Sequence, residues 1–189
     1  MSLANLRKTS AQTVMGIDAS TQSLAFCILD YETPLSWGEI QFEGKTIYER
    51  IGDAKRKTAS LSDQFKCDFV VIESAVMVRS AAVAIKLAYV YGAILGELLE
   101  SHANVVVAAP VQWQSYIGNT NWSRVRKAEF RKLNPGHPKS WYQNAIRNQR
   151  KQFTIDWAEK EYGIITTSDN VADAVGLSHY ASHHLTEQR

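Results

Sequence analysis

Short apolar runs and longer amphipathic stretches alternate along this chain. Residues 13–19 and 23–31 are apolar runs broken only by the polar Ser20-Thr21-Gln22, which predicts two strands joined by a turn. Residues 35–42 alternate apolar and polar and predict a third, antiparallel strand. Ile47, Ile51, Ala54, Leu61 and Phe65 recur at helical spacing and predict a helix over 46–65. Residues 68–73 are apolar almost throughout, the mark of a strand covered on both faces. A long helix rich in Ala and Leu follows over 79–101, then a buried strand over 104–108, stopped by Pro110. A short helix over 111–118 and two more over 145–162 and 170–185 complete the pattern. Three strands, a helix, then alternating strands and helices predict an α/β fold with a mixed five-stranded sheet and helices on both faces.

Residues 119–144 do not fit that plan. They hold polar turns, a short basic helix ending at Leu133 and the sequence Asn134-Pro135-Gly136-His137-Pro138, and they read as an insertion. At 189 residues and 45% apolar content, the chain fits one domain over 14–189 behind a flexible lead of residues 1–13. That lead lacks the apolar stretch of a signal peptide. No run of about 18 apolar residues occurs, so no membrane span is expected. Cys27 and Cys67 lie in or beside apolar strands and read as reduced thiols, and neither has a partner at zinc-ligand spacing.

Charge changes the picture. The window 123–151 holds nine cations, Arg124, Arg126, Lys127, Arg131, Lys132, Lys139, Arg147, Arg150 and Lys151, and a single acid, Glu129. It therefore carries +8 in a chain of net charge +2, which leaves −6 on the remainder. Such a block reads as a phosphate-binding surface.

Three acids stand in apolar settings instead. Asp18 ends the run Val14-Met15-Gly16-Ile17, Glu73 ends Phe69-Val70-Val71-Ile72, and Asp173 sits in Asn170-Val171-Ala172-Asp173-Ala174-Val175. A carboxylate in such a place is costly to bury unless it is paired or bound to metal, and three that converge point to a divalent-cation site.

Four stretches together resemble RuvC-type Holliday-junction resolvases, a branch of the ribonuclease H-like nucleases. They are Gly16-Ile17-Asp18-Ala19-Ser20-Thr21, then Asp68 to Met77 with the helix that follows, then Val105 to Gly118, and finally Asp169-Asn170-Val171-Ala172-Asp173-Ala174-Val175-Gly176-Leu177. The resemblance covers most of residues 14–118 and 146–185. It implies a ribonuclease H-like fold and nicking of DNA with two magnesium or manganese ions. Asp18 would bridge both ions, Glu73 would hold one and Asp173 the other. The family usually places an acid or His three residues before the last Asp, and here that position is Asn170. Asp169, four residues before Asp173, could share its helix face or could cap the helix. Lys151 resembles a basic residue near the scissile phosphate. The expected partners are branched DNA, above all a four-way junction, and a second copy of the chain docked through helix 79–101. The expected location is the cytoplasm of a bacterial cell or phage-infected host, or another DNA-containing compartment.

Other residues qualify that reading. Ser20 and Thr21 replace a Gly-containing turn and could meet a phosphate or serve the turn alone. Val76 stands where the family often carries an aromatic, and Met77, Tyr89 and Tyr91 read as core or dimer-interface residues. Among the aromatics of the basic block, Phe130 and Phe153 read as helix anchors, and Trp122 and Trp141 read as loop residues able to stack on a base. His183 and His184 read as a solvated helix end. A flap or general branched-DNA endonuclease, a non-catalytic nucleic-acid-binding module and an actin-like ATPase or sugar kinase remain as alternatives.

Overall fold

The computed structural model describes residues 13–75 and 80–185. Its five strands are β1 (Thr13–Ala19), β2 (Ser23–Asp30), β3 (Thr33–Gln41), β4 (Phe69–Glu73) and β5 (Val105–Ala108), and they form one sheet in the order β3-β2-β1-β4-β5. β1 pairs antiparallel with β2 and β2 with β3, whereas β1–β4 and β4–β5 are parallel. This is the mixed ribonuclease H-like sheet expected from the sequence.

Period-two alternation divides the central strands between two cores. Met15, Ile17, Leu24, Phe26, Ile28, Val70 and Ile72 point to one face, where Ala54 and Leu61 of α1 (Ile47–Gln64) and Val90, Ile94 and Leu98 of α2 (Ala81–Ser101) cover them. Val14, Phe69, Val71, Ala25, Cys27 and Leu29 point to the other. There α3 (Pro110–Tyr116), α5 (Lys139–Tyr162) and α6 (Asp169–Tyr180) supply Trp113, Ala158, Val171, Val175 and Leu177. A π-helical turn, Ala181–Leu185, extends α6. Cys27 is buried, Cys67 is half-buried, and both are free thiols.

Several boundaries differ from the sequence reading. α5 begins at Lys139, not at residue 145, because Pro138 caps it with a φ of −69° and Tyr142 turns inward within its first turns. The basic helix is α4 (Arg124–Leu133), capped by the Ser123 side chain, which accepts from Arg126 N. Val76 and Met77 lie outside the described residues. α2 is the one helix among the described residues long and apolar enough, by length and composition alone, to cross a membrane. It packs Val90, Ile94 and Leu98 on the sheet and leaves Ile85, Tyr89 and Leu99 exposed on the other side.

α6 sits unusually close to the sheet. The Ser178 hydroxyl accepts from Gly16 N at 2.8 Å and lies 2.7 Å from the Cys27 carbonyl, to which it donates. A Cβ on Gly16 would stand 2.3 Å from the Ala174 carbonyl oxygen. On the outer side of the same helix, a Cβ on Gly176 would stand 2.6 Å from the Trp113 ring. These contacts predict that Ser178→Ala costs about 1–3 kcal/mol in urea denaturation, because it strands a buried N–H and a buried carbonyl. Gly16→Ala should cost more, since backbone rather than a flexible side-chain tip must give way. A loss below about 0.5 kcal/mol for Gly16→Ala, the range of ordinary surface substitutions, would contradict this account of the packing.

Candidate active site

The alternation that builds the cores also aims the acids. Asp18 continues the Val14–Gly16 side of β1, and Glu73 continues the Phe69–Val71 side of β4, so both face the α6 layer. The parallel register pairs Ile17 with Ile72, and Asp18 and Glu73 follow at adjacent strand ends. α6 delivers the third acid: Asp173 precedes Ala174, whose carbonyl lies against Gly16. Asp18, Glu73, Asp169, Asn170 and Asp173 all line one cleft of about 610 Å³.

The cleft is electrostatically stressed. Burial first, then the charges of Glu73, Asp169 and Glu39, push the Asp18 carboxyl up to about 7, against the pull of Lys151. Burial, then Asp18, Glu73 and Asp169, push Asp173 up to about 8. Burial also raises Glu73, although the Trp113 indole donates to it at 2.8 Å from a fully buried ring and so fixes its direction. Among the described residues, neither Asp18 nor Asp173 has a hydrogen-bond partner or a cation within ion-pair distance. Their hard oxygens suit a hard divalent cation. No three His, Cys, Asp or Glu side chains among the described residues already stand as a preformed cage for one.

The candidates for a fourth ligand are otherwise engaged. Asp169 does not cap α6; Ser168 does, accepting from Val171 N at 3.3 Å, and Asp169 is ion-paired with Lys151. Asn170 donates to Glu39 at 3.0 Å, and Ser168 donates to the other oxygen of the same carboxylate at 3.0 Å. Burial would raise the Glu39 carboxyl, but hydrogen bonds from Ser23, Asn170, Ser168 and Gln41 hold it below its ordinary value. Glu39 and Trp113 are functional neighbours that the sequence reading missed. Glu39 sits across from Ala25 in the β2–β3 register, a pairing that no local motif reveals. Trp113 had a visible signal, as a bulky aromatic in a short helix directly after a buried strand.

The basic block reaches the same cleft in part. Lys127 and Arg131 of α4 and Arg147, Arg150 and Lys151 of α5 line it, whereas Arg124, Arg126, Lys132 and Lys139 are not among the lining residues. Arg150 spends its guanidinium inside the protein, donating to Asn121 at 2.8 Å, to Gln114 at 2.6 Å and to Asn119 at 3.2 Å and 3.1 Å. It brackets residues 114–121 to α5. Arg126 lies over the Trp122 ring at 4.0 Å.

The aromatics largely pack on one another. Phe130 meets Trp122 edge-on at 5.5 Å and stacks parallel to Trp141 at 6.1 Å, and His137 stacks on Trp141 at 3.8 Å. Trp141 is helical, not in a loop, whereas Trp122 stays in a loop, buried against Phe130, and lines the cleft. Tyr142 donates to the Asn134 carbonyl and so ties the end of α4 to the start of α5. Elsewhere, the Ser20 hydroxyl is taken up by the turn, accepting from Ser23 N at 2.9 Å. Tyr89 is exposed on α2, and Tyr91 packs into the sheet core. His183 is not a simply solvated side chain: its ring lies 4.3 Å from that of His179.

No family model matches the chain, and no curated protein matches it. Solved structures do. Thermus thermophilus RuvC in complex with a Holliday-junction substrate aligns with a TM-score of 0.66 at 15% identity, over 93% of this chain and 95% of that one. RuvC from the same organism in a second structure gives 0.64 at 15% identity, over 93% and 96%. The yeast mitochondrial Holliday-junction resolvase Ydc2 gives 0.53 at 11% identity, over 89% and 78%. This chain has the ribonuclease H-like fold in the form found in RuvC-type Holliday-junction resolvases.

Proposed function

We propose that the protein is a metal-dependent, structure-selective DNA endonuclease that nicks four-way junctions in symmetric pairs, working as a homodimer. One observation carries this reading: a single cleft gathers three half-buried carboxylates and a set of cations on a fold shared with RuvC. A binding module would need the cations but gains nothing from gathering Asp18, Glu73 and Asp173 in one cleft.

Asp18, Glu73 and Asp173 would hold magnesium or manganese. When bound, two such ions supply an activated water and neutralise charge at the leaving oxygen. The remaining work falls to the chain. Trp113 orients Glu73, and Glu39 holds Asn170 and Ser168 so that α6 presents Asp173 inward. Lys127, Arg131 and Arg147 draw the DNA backbone into the cleft. Lys151, paired with Asp169, keeps an ammonium beside the carboxylates, where a phosphate would otherwise meet only negative charge. Two symmetric nicks need two such clefts related by a two-fold axis. The exposed Ile85 and Tyr89, one turn apart on α2, offer an apolar face for that pairing.

Asp18→Asn, Glu73→Gln and Asp173→Asn should each reduce nicking of a labelled junction by more than the roughly 10–100-fold typical of groups that only support metal ligands. Junction affinity should stay within about twofold, because separate residues hold phosphate. Near-normal cleavage by any one variant would remove that residue from the role assigned to it. Nicks without symmetry, or equal cleavage of junction, flap and duplex, would replace the resolvase reading with that of a general endonuclease.

The raised carboxyls also predict a stability effect without metal. The folded state holds Asp18 and Asp173 protonated up to about pH 7 and 8, whereas the unfolded chain releases those protons near its ordinary value of 3.8. The folded state therefore binds more protons across that window, and stability of the metal-free protein falls as pH rises from about 4 to 8. At pH 8, metal-free Asp173→Asn should melt above the parent protein by at least about 2–4 °C, the equivalent of 1 kcal/mol in a chain of this size. Manganese should raise the melting point of the parent and do less for the variant. A variant that melts lower than the parent at pH 8 would contradict the repulsion.

A further inference from the structure

The cleft contains more than carboxylates and cations. One face of α5 contributes Gln143, Ile146, Arg147 and Lys151 at helical spacing. Ile146 is a half-buried apolar side chain outside the three buried cores, and it faces the cleft beside cations. Gln143 is an exposed amide with no hydrogen-bond partner among the described residues. Ile146 cannot hold a phosphate, and the Gln143 amide offers an acceptor as well as a donor. An apolar surface next to a free amide, which offers a donor and an acceptor, is the chemistry that receives the face and edge of a nucleobase.

Size points the same way. A volume of about 610 Å³ lies within the range of small-molecule pockets, roughly 300–1,000 Å³, which is room for a nucleotide or two. The cations are also placed for a single backbone. Lys127 and Arg131 are one turn apart on α4, and Arg147 lies on the α5 face that carries Ile146. α4 is not free to swing aside, because Phe130 packs against Trp141 and Trp122, and Tyr142 bonds to Asn134.

We propose that this part of the cleft is a site for one unpaired nucleotide, with its base on Ile146 and Gln143 and its flanking phosphates on Lys127, Arg131 and Arg147. DNA then enters the carboxylate cleft as a strand peeled from its complement. Bases at a branch point unstack and unpair at less cost than those inside an intact duplex, so the site itself discriminates between them. The inference takes its ligand class, DNA, from the nuclease reading.

The test is metal-free binding, which needs no cleavage and therefore fails or succeeds apart from the nuclease reading. Fluorescence anisotropy in EDTA would compare a labelled 12-nucleotide strand, the same strand in duplex and the same strand with abasic positions. The intact protein should bind the single strand at least about fivefold more tightly than either of the others, the equivalent of about 1 kcal/mol. Gln143→Ala with Ile146→Ala should remove most of that preference and leave duplex affinity within about twofold. Lys127→Ala and Arg131→Ala should weaken both forms and flatten the salt dependence for the single strand by about 0.7 per contact. The proposal fails if the intact protein binds abasic and normal strands equally, or binds duplex as tightly as single strand. It also fails if the Gln143 and Ile146 changes weaken both forms alike. The abasic comparison uses the unmodified protein, so a misfolded variant cannot shelter the idea.

Discussion

The site depends on how closely α6 approaches β1. Gly16 has no side chain, so the Ala174 carbonyl can settle where a Cβ would stand 2.3 Å away, and Ser178 can bridge the backbones of β1 and β2. Asp18 is two residues beyond Gly16 and Asp173 is one residue before Ala174. The separation of these two acids is therefore set by a helix–sheet contact that only glycine permits. Glu73 is positioned differently, by the parallel register of β4 against β1, and its rotamer is fixed by the Trp113 indole. Gly176 makes room for that ring. Two glycines thus govern the arrangement without carrying any chemistry.

Bringing acids together has an energetic consequence. Asp18 and Asp173 are pushed up to about 7 and 8 by burial and then by neighbouring carboxylates, a strain that the surrounding apolar cores must offset. The neighbouring polar groups are compensated, Asp169 by Lys151 and Asn170 through Glu39. The stress is concentrated on the residues that have no protein partner, and a divalent cation is what would relieve it. Asn170 in place of an acid keeps a further negative charge out of an already crowded cleft.

Much of this was legible in the sequence, and what was hidden was hidden for physical reasons. Period-two alternation and the unbroken apolar runs gave the five strands, and the carboxylates ending those runs gave Asp18 and Glu73. Residues whose role arises from contact between distant segments were not legible. Glu39 reads as one polar position in an edge strand, and its meaning appears only when α6 docks beside it. Arg150 read as one more cation of the basic block, yet its donors are consumed by Gln114, Asn119 and Asn121. Composition cannot tell a guanidinium that faces solvent from one that holds a loop. Trp141 misled for a related reason. Its polar neighbours and the Pro138 upstream implied a loop, but that proline caps a helix whose first turns pack on Phe130.

α4 shows why those ring contacts matter. A helix of ten residues dense in cations has little tendency to persist alone, because nucleation is costly and its charges repel. Packed against Trp122 and Trp141 through Phe130, and tied to α5 by Tyr142, it holds Lys127 and Arg131 in fixed positions. The Arg150 bracket does the same for the segment that leads into it. A mobile basic loop would bind any phosphate and lose chain entropy each time it did so. A fixed one loses less on binding and accepts fewer shapes. Part of the block's charge thus serves rigidity, and the remaining cations are held in a geometry set in advance by the protein's own packing.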